Sequence, residues 1–153
     1  MKNILVLCTG NSCRSQIADG YLKHFAKGKA NVYSAGVETH GVNPKAIATM
    51  KADGIDIADN TSNNVLEYQE VPFDFIITVC DNAAGEVCPF WPGKPSTAHW
   101  GFPDPSQVQG SDLEVRAAFN EVRNGLKKRL DILASMPLEK LDSMSLKNIH
   151  TQR

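Results

Sequence analysis

The chain has no long apolar run: no stretch of its 153 residues approaches the roughly 18 apolar residues of a membrane span. It begins with a strand-like segment, not a charged region followed by a cleavable apolar one, so the expected compartment is the cytoplasm. Net charge is also nearly absent, with 16 Lys and Arg against 17 Asp and Glu. That balance gives no basic face for nucleic acid and no polybasic patch for a lipid surface. Neither partner is expected, and any selectivity for an anion must be local. Cysteine is scarce: Cys8, Cys13, Cys80 and Cys88 are the whole set. Intervals of four and seven intervening residues lack the short knuckles of a structural zinc site. Thiols in a reducing compartment are more often catalytic or metal-binding than bridging. Repeats and low-complexity segments are missing as well.

What is present suffices for one core, since 42% of the residues are hydrophobic. Residues 2–7 read as a strand. A helix follows from about Ser15 to Lys27, with Ile17, Ala18, Tyr21, Leu22 and Phe25 on one face and Gly28 as its stop. Val32 to Ala35 is a short strand. Asn43 and Pro44 supply a cap and a first-turn proline for a second helix that ends at Gly54. Thr61 or Ser62 is expected to cap a short helical piece reaching Tyr68. Phe73 to Val79 is a buried central strand and Thr97 to Trp100 a last short one. Ser111 and Glu114 form a capping box for a long helix that ends at Pro137. Alternating strands and helices predict an α/β domain over residues 1–137: a small parallel four-stranded sheet wrapped by helices. Residues 138–153 have intermittent apolar positions and are expected to form a weakly structured or docked tail. Such sheets bind ligands beyond the carboxyl ends of their strands, where Cys8 and Cys80 both fall.

Cys8 opens the run Cys8, Thr9, Gly10, Asn11, Ser12, Cys13, Arg14, Ser15, between the first strand and the first helix. A turn of small polar residues there aims backbone N–H groups and a helix N-terminus at one point, where an oxyanion can sit. The same positive field favours thiolate at Cys8, the candidate nucleophile. Arg14 can clamp two oxygens of a tetrahedral anion. Asn11 suits the left-handed backbone of a tight turn. Ser15, expected at the N-cap, can donate to the thiolate or cap the helix.

Two further segments carry chemistry. Cys80 ends the central strand and Cys88 precedes Pro89, with small and polar residues between them. This suits a thiol relay in which one thiol attacks an adduct on Cys8 and the next carries the disulfide outward. In His99-Trp100-Gly101-Phe102-Pro103-Asp104-Pro105, Asp104 stands between two prolines on a stiff loop and is the candidate general acid. His99 reads as a packing or hydrogen-bonding residue, and His24, His40 and His150 stand in no ligand-like arrangement.

From about Lys2 to Leu133 these three motifs resemble the low-molecular-weight protein tyrosine phosphatase fold, with its flavodoxin-like topology. Within it they are similar to the arsenate reductases coupled to thioredoxin. The resemblance implies that Cys8 is the nucleophile, Cys80 the first resolving thiol and Cys88 the second, with arsenate or a phosphate-type oxyanion as substrate. It implies Arg14 as clamp, Asn11 and Ser15 as its supports, Cys13 as an accessory loop residue and Asp104 as acid. It also implies a weak monovalent-cation site, of potassium, behind the loop at Asn11, Asp19, Ser34 and Thr61. No tightly bound cofactor is expected. The sequence departs from the pattern at Asn63, where an acidic ligand would stand, and in the seven residues, not six, between Cys80 and Cys88. Glutaredoxin with glutathione is therefore the alternative to thioredoxin as electron donor. A low-molecular-weight phosphatase acting on phosphate monoesters shares the pocket but has no use for the thiol pair. A non-catalytic oxyanion or redox sensor would need no acid.

Overall fold

Strand β1 (Lys2–Cys8) alternates its side chains between two cores. Ile4, Val6 and Cys8 face the larger one, while Leu5 and Leu7 face a smaller cluster with Ala35, Phe73 and Ile76. The computed structural model describes residues 1–81 and 95–151. Its sheet contains β2 (Ala30–Gly36), β1, β3 (Phe75–Thr78) and β4 (Ser96–His99), in that spatial order and all parallel. The chain runs from β1 outward to β2, then returns to build β3 on the other side of β1. The strand order therefore reverses between β1 and β3, and beyond the carboxyl ends of those strands lies the place where sheets of this kind bind ligands.

Helix α1 (Arg14–Phe25) presents Ile17, Ala18, Tyr21 and Leu22 to the larger core. Helix α2 (Pro44–Lys51) starts as the sequence suggests, with Asn43 accepting from the Lys45 N–H and Pro44 in the first turn. Helix α3 (Asp112–Ser135) carries the reciprocal Ser111–Glu114 capping box and buries Phe119, Val122, Leu126, Leu130 and Leu133 as one stripe. These residues close the core over α1. The short 3-10 segment Val65–Tyr68 is capped by Asn64 and not by Thr61 or Ser62. Asn64 wins because Glu67 stands three residues on and bonds back to its N–H, completing a capping box.

Residues 138–150 form a 3-10 turn (Leu138–Lys140) followed by α4 (Ser143–His150). Asp142 caps α4 by accepting from both the backbone N–H and the hydroxyl of Ser145. Leu146 and Ile149 are buried, and Ser143 Oγ accepts from the Thr97 N–H of the edge strand at 3.1 Å. No helix among the described residues is long and apolar enough to cross a membrane.

Candidate active site

The loop from Cys8 to Ser15 leaves the carboxyl end of β1 and enters α1. Asn11 makes the turn possible, with φ 48°, the sole non-glycine positive φ among the described residues. Its side chain then locks the turn. Asn11 Nδ2 donates to Ser15 Oγ at 2.8 Å, and Asn11 Oδ1 accepts from the Asn63 N–H at 2.7 Å. From behind, Gln16 Nε2 donates to the Asn11 carbonyl, and Ser62 Oγ donates to the carbonyls of Gly10 and Asn11. From the rim, the N–H groups of Glu38, His40 and Asn43 donate to the carbonyls of Thr9, Gly10 and Ser12. With those carbonyls drawn outward, the loop takes the form in which backbone N–H groups turn to the concave side, the arrangement of an anion-binding nest.

Cys8 is a buried free thiol whose Sγ lies 2.8 Å from Ser15 Oγ. Ser15 is not the N-cap. The N-cap is Cys13, two residues earlier, and the helix begins at Arg14, because the Ser15 hydroxyl is engaged by Cys8 and Asn11 and is unavailable to cap. A hydroxyl held between an amide donor and a sulfur is placed to give its proton to a thiolate. Cys13 is also buried and free, but burial first and the Asp104 charge second push its pKa up to about 12. Both effects disfavour the Cys13 thiolate.

Arg14 is almost wholly buried. One of its terminal nitrogens donates to the Phe102 carbonyl at 3.0 Å, and the other lies 3.6 Å from Asp104 Oδ2. The loop that carries Phe102 and Asp104 therefore touches the Cys8–Ser15 loop through the guanidinium. Asp104 also caps the 3-10 turn Pro105–Gln107, accepting from the N–H and hydroxyl of Ser106 through Oδ1. The two roles use different oxygens, which leaves Oδ2 toward the site.

Cys80 follows β3 by two residues and is fully buried. Register places Thr78 beside Leu7, and the Val79 N–H donates to the Leu7 carbonyl, so Cys80 lies at the same end of the sheet as Cys8. Cys80 is disulfide-bonded. Cys88 lies outside the described residues.

Asp19, Ser34 and Thr61 line one cavity of about 350 Å³ behind the loop, together with Gln16, Lys23 and Asn63. Asn11 does not join them, because its amide is committed to Ser15 and Asn63. The Asp19 carboxylate is already paired with Lys23 Nζ at 3.0 Å and with Asn60 Nδ2 at 3.1 Å. Burial pushes the Asp19 pKa up, and Lys23 and Asn60 pull against it. No group of three or more His, Cys, Asp or Glu able to hold a metal occurs among the described residues.

Three contributors are not evident from the motifs. Gly36 is needed for close approach, since a Cβ there would lie 2.6 Å from the Thr9 carbonyl oxygen and 2.8 Å from Asn11 N. Ser62 and the Phe102 carbonyl act through hydrogen bonds that join segments far apart in the chain. A glycine that ends a strand was the one available signal.

A family model described as low molecular weight phosphotyrosine protein phosphatase matches residues 3–145. An arsenate reductase of Halalkalibacterium halodurans is 45% identical over 133 residues, which are 87% of this chain and 95% of that protein. An arsenate reductase of Bacillus subtilis is 44% identical over 129 residues, 84% of this chain and 92% of that protein. A solved arsenate reductase in its oxidized state superimposes with a TM-score of 0.74 at 31% identity, covering 88% of this chain and 98% of the other.

Proposed function

The chain belongs to the low molecular weight phosphotyrosine protein phosphatase family, and on that premise we propose that it is an arsenate reductase working through a relay of its own thiols. The observation that carries this reading is the disulfide-bonded, buried Cys80 at the sheet end where Cys8 stands as a free thiol beside Arg14. A phosphatase needs Cys8, Arg14 and Asp104 and has no use for a redox-active thiol just beyond the neighbouring strand. Ser106, bonded to Asp104, also stands where an aromatic residue would suit a phosphotyrosine ring. Relatives named for the same activity at 44–45% identity support the reading.

In the proposed sequence, the concave N–H groups of residues 9–15 and the Arg14 guanidinium hold arsenate. Cys8 thiolate, stabilised by Ser15, attacks arsenic and forms an S–As bond, while an As–O bond breaks and the oxygen departs as water with a proton from Asp104. Cys80 thiolate then attacks Cys8 Sγ. The S–As bonding pair passes to arsenic, reducing As(V) to As(III), and arsenite leaves. Two thiols have become one disulfide, which supplies the two electrons required. Cys88 attacks Cys80 and frees Cys8. A dithiol donor, thioredoxin in the first instance and glutaredoxin with glutathione in the second, reduces the Cys80–Cys88 bond. Regeneration by such donors requires a reducing compartment, the cytoplasm.

The residues behind the loop do not fit a resident potassium ion as they stand. The Asp19 carboxylate faces Lys23 and Asn60, and the Thr61 carbonyl accepts from Gln16. No step is routed through a cation. Arsenate-dependent NADPH oxidation, measured with purified thioredoxin and thioredoxin reductase and in parallel with glutaredoxin, glutathione and its reductase, tests the reading. Turnover with the thioredoxin system is expected. Arsenate-independent background alone in both systems would overturn it.

A further inference from the structure

Arg14 takes its position from the segment that runs from β4 to the acid loop, and that segment leans on α4. The Phe102 carbonyl accepts from Arg14 at 3.0 Å. The Phe102 ring meets the His150 imidazole edge-on at 5.7 Å and lies under the Arg129 guanidinium at 5.2 Å. Two residues earlier, the buried Trp100 indole stacks on the same imidazole at 6.3 Å and 7°, and its Nε1–H donates to the Leu146 carbonyl. Arg129 Nε in turn donates to the His150 carbonyl at 3.1 Å. One residue therefore joins both aromatic side chains of the segment and the arginine that covers one of them.

We infer that His150 is a positioning residue for the oxyanion cradle, holding Phe102 so that its carbonyl fixes the Arg14 guanidinium. His150 touches no substrate and acts only through Phe102. It lies five residues beyond the end of the family match. Its ring behaves as a flat apolar wedge: Nδ1 is buried without a hydrogen-bond partner, and burial, followed by the charges of Arg129 and His99, keeps the pKa below the ordinary value. Without the wedge, Phe102 can rotate into the vacated space and its carbonyl loses its aim at Arg14.

The inference rests on the proposed oxyanion cradle, so its test reads anion binding and not turnover. Reduced protein is alkylated with iodoacetamide at increasing inorganic phosphate, and modification of Cys8 is followed by peptide mass. Phosphate is expected to protect Cys8 in the parent protein. His150→Ala, confirmed as folded by circular dichroism and thermal melting, is expected to need about 3- to 30-fold more phosphate, the size of effect for residues coupled to a site without touching its ligand. His150→Phe, which keeps the flat ring, restores protection. Met144→Ala, on the exposed side of α4, leaves it unchanged. If His150→Ala does not fold, His150→Leu keeps the bulk without the plane and makes the same distinction. Protection at parental phosphate in a folded His150→Ala or His150→Leu overturns the inference. A parent protein that phosphate does not protect overturns the cradle itself, and the inference with it.

Discussion

Arg14 and Asp104 face each other at 3.6 Å across the mouth of the anion loop, the first 3% and the second 20% exposed. An entering oxyanion must share the guanidinium with that carboxylate. Asp104→Asn removes the competing charge but retains an oxygen that can accept from Ser106, so the Pro105–Gln107 turn survives. The variant is expected to bind phosphate more tightly and to form the Cys8–arsenic adduct about 10²–10⁴ more slowly, the usual worth of general acid catalysis. Phosphate inhibition and single-turnover kinetics measure the two effects separately. An unchanged adduct rate would place the acid elsewhere.

Gly36→Ala should damage the loop from outside. The new methyl would press on the Thr9 carbonyl, Asn11 N and the Cys8 carbonyl, all backbone atoms within 3 Å. Overpacking of this kind costs about 1–3 kcal/mol, and here the loop must shift to relieve it. Denaturant melts are expected to show that loss together with weaker phosphate inhibition. Parental stability and parental inhibition in the same variant would mean that the contact is not constraining.

Cys13 should be inert. With a pKa near 12 set chiefly by burial, only about one thiol in ten thousand is ionised at pH 8. Because burial raises the value, reactivity should appear only as pH climbs toward 12 or as the chain unfolds. Iodoacetamide at pH 8 is expected to label Cys8 in the reduced native protein and Cys13 only in denaturant. Comparable native labelling of both would show that the loop opens.

The parallel four-stranded sheet is legible because apolar runs ending at turn residues, such as Ile4–Leu7 and Phe75–Val79, alternate with helical patterns, while the spatial order of its strands comes only from the fold. That Cys8, Arg14 and Asp104 are candidates is legible because each stands at a strand-to-helix turn or on a proline-stiffened loop, and the fold brings Arg14 and Asp104 together. Ser15 stands two positions inside the N-cap expected of it: the capping preference for serine is real, but Asn11 and Cys8 compete for the hydroxyl more effectively than the helix does. The capped helix over Ser143–His150 was hidden, since its apolar positions Leu146 and Ile149 are too few to show a period. Its partners, Thr97, Trp100 and Arg129, lie tens of residues away. Contacts of that range depend on the assembled sheet, and no local pattern encodes them.

The thiol pair separates reductase from phosphatase most cleanly. Cys80→Ser and Cys88→Ser should each lose multiple-turnover arsenate reduction with thioredoxin yet retain hydrolysis of an aryl phosphate, which requires only Cys8, Arg14 and Asp104. Cys8→Ser should lose both, because a hydroxyl in the loop does not ionise near neutral pH. The two resolving variants should also differ from each other. Cys88→Ser can complete one reduction and then stops with Cys8 joined to Cys80, a species that peptide mass detects after arsenate treatment and alkylation. Cys80→Ser stops earlier, with arsenic still on Cys8 and no neighbouring thiol to displace it. Arsenite release should thus be stoichiometric with enzyme in the first variant and absent in the second. Sustained cycling of Cys88→Ser with thioredoxin would reverse the proposed order of the two thiols, and parental arsenate turnover in both variants would overturn the relay itself.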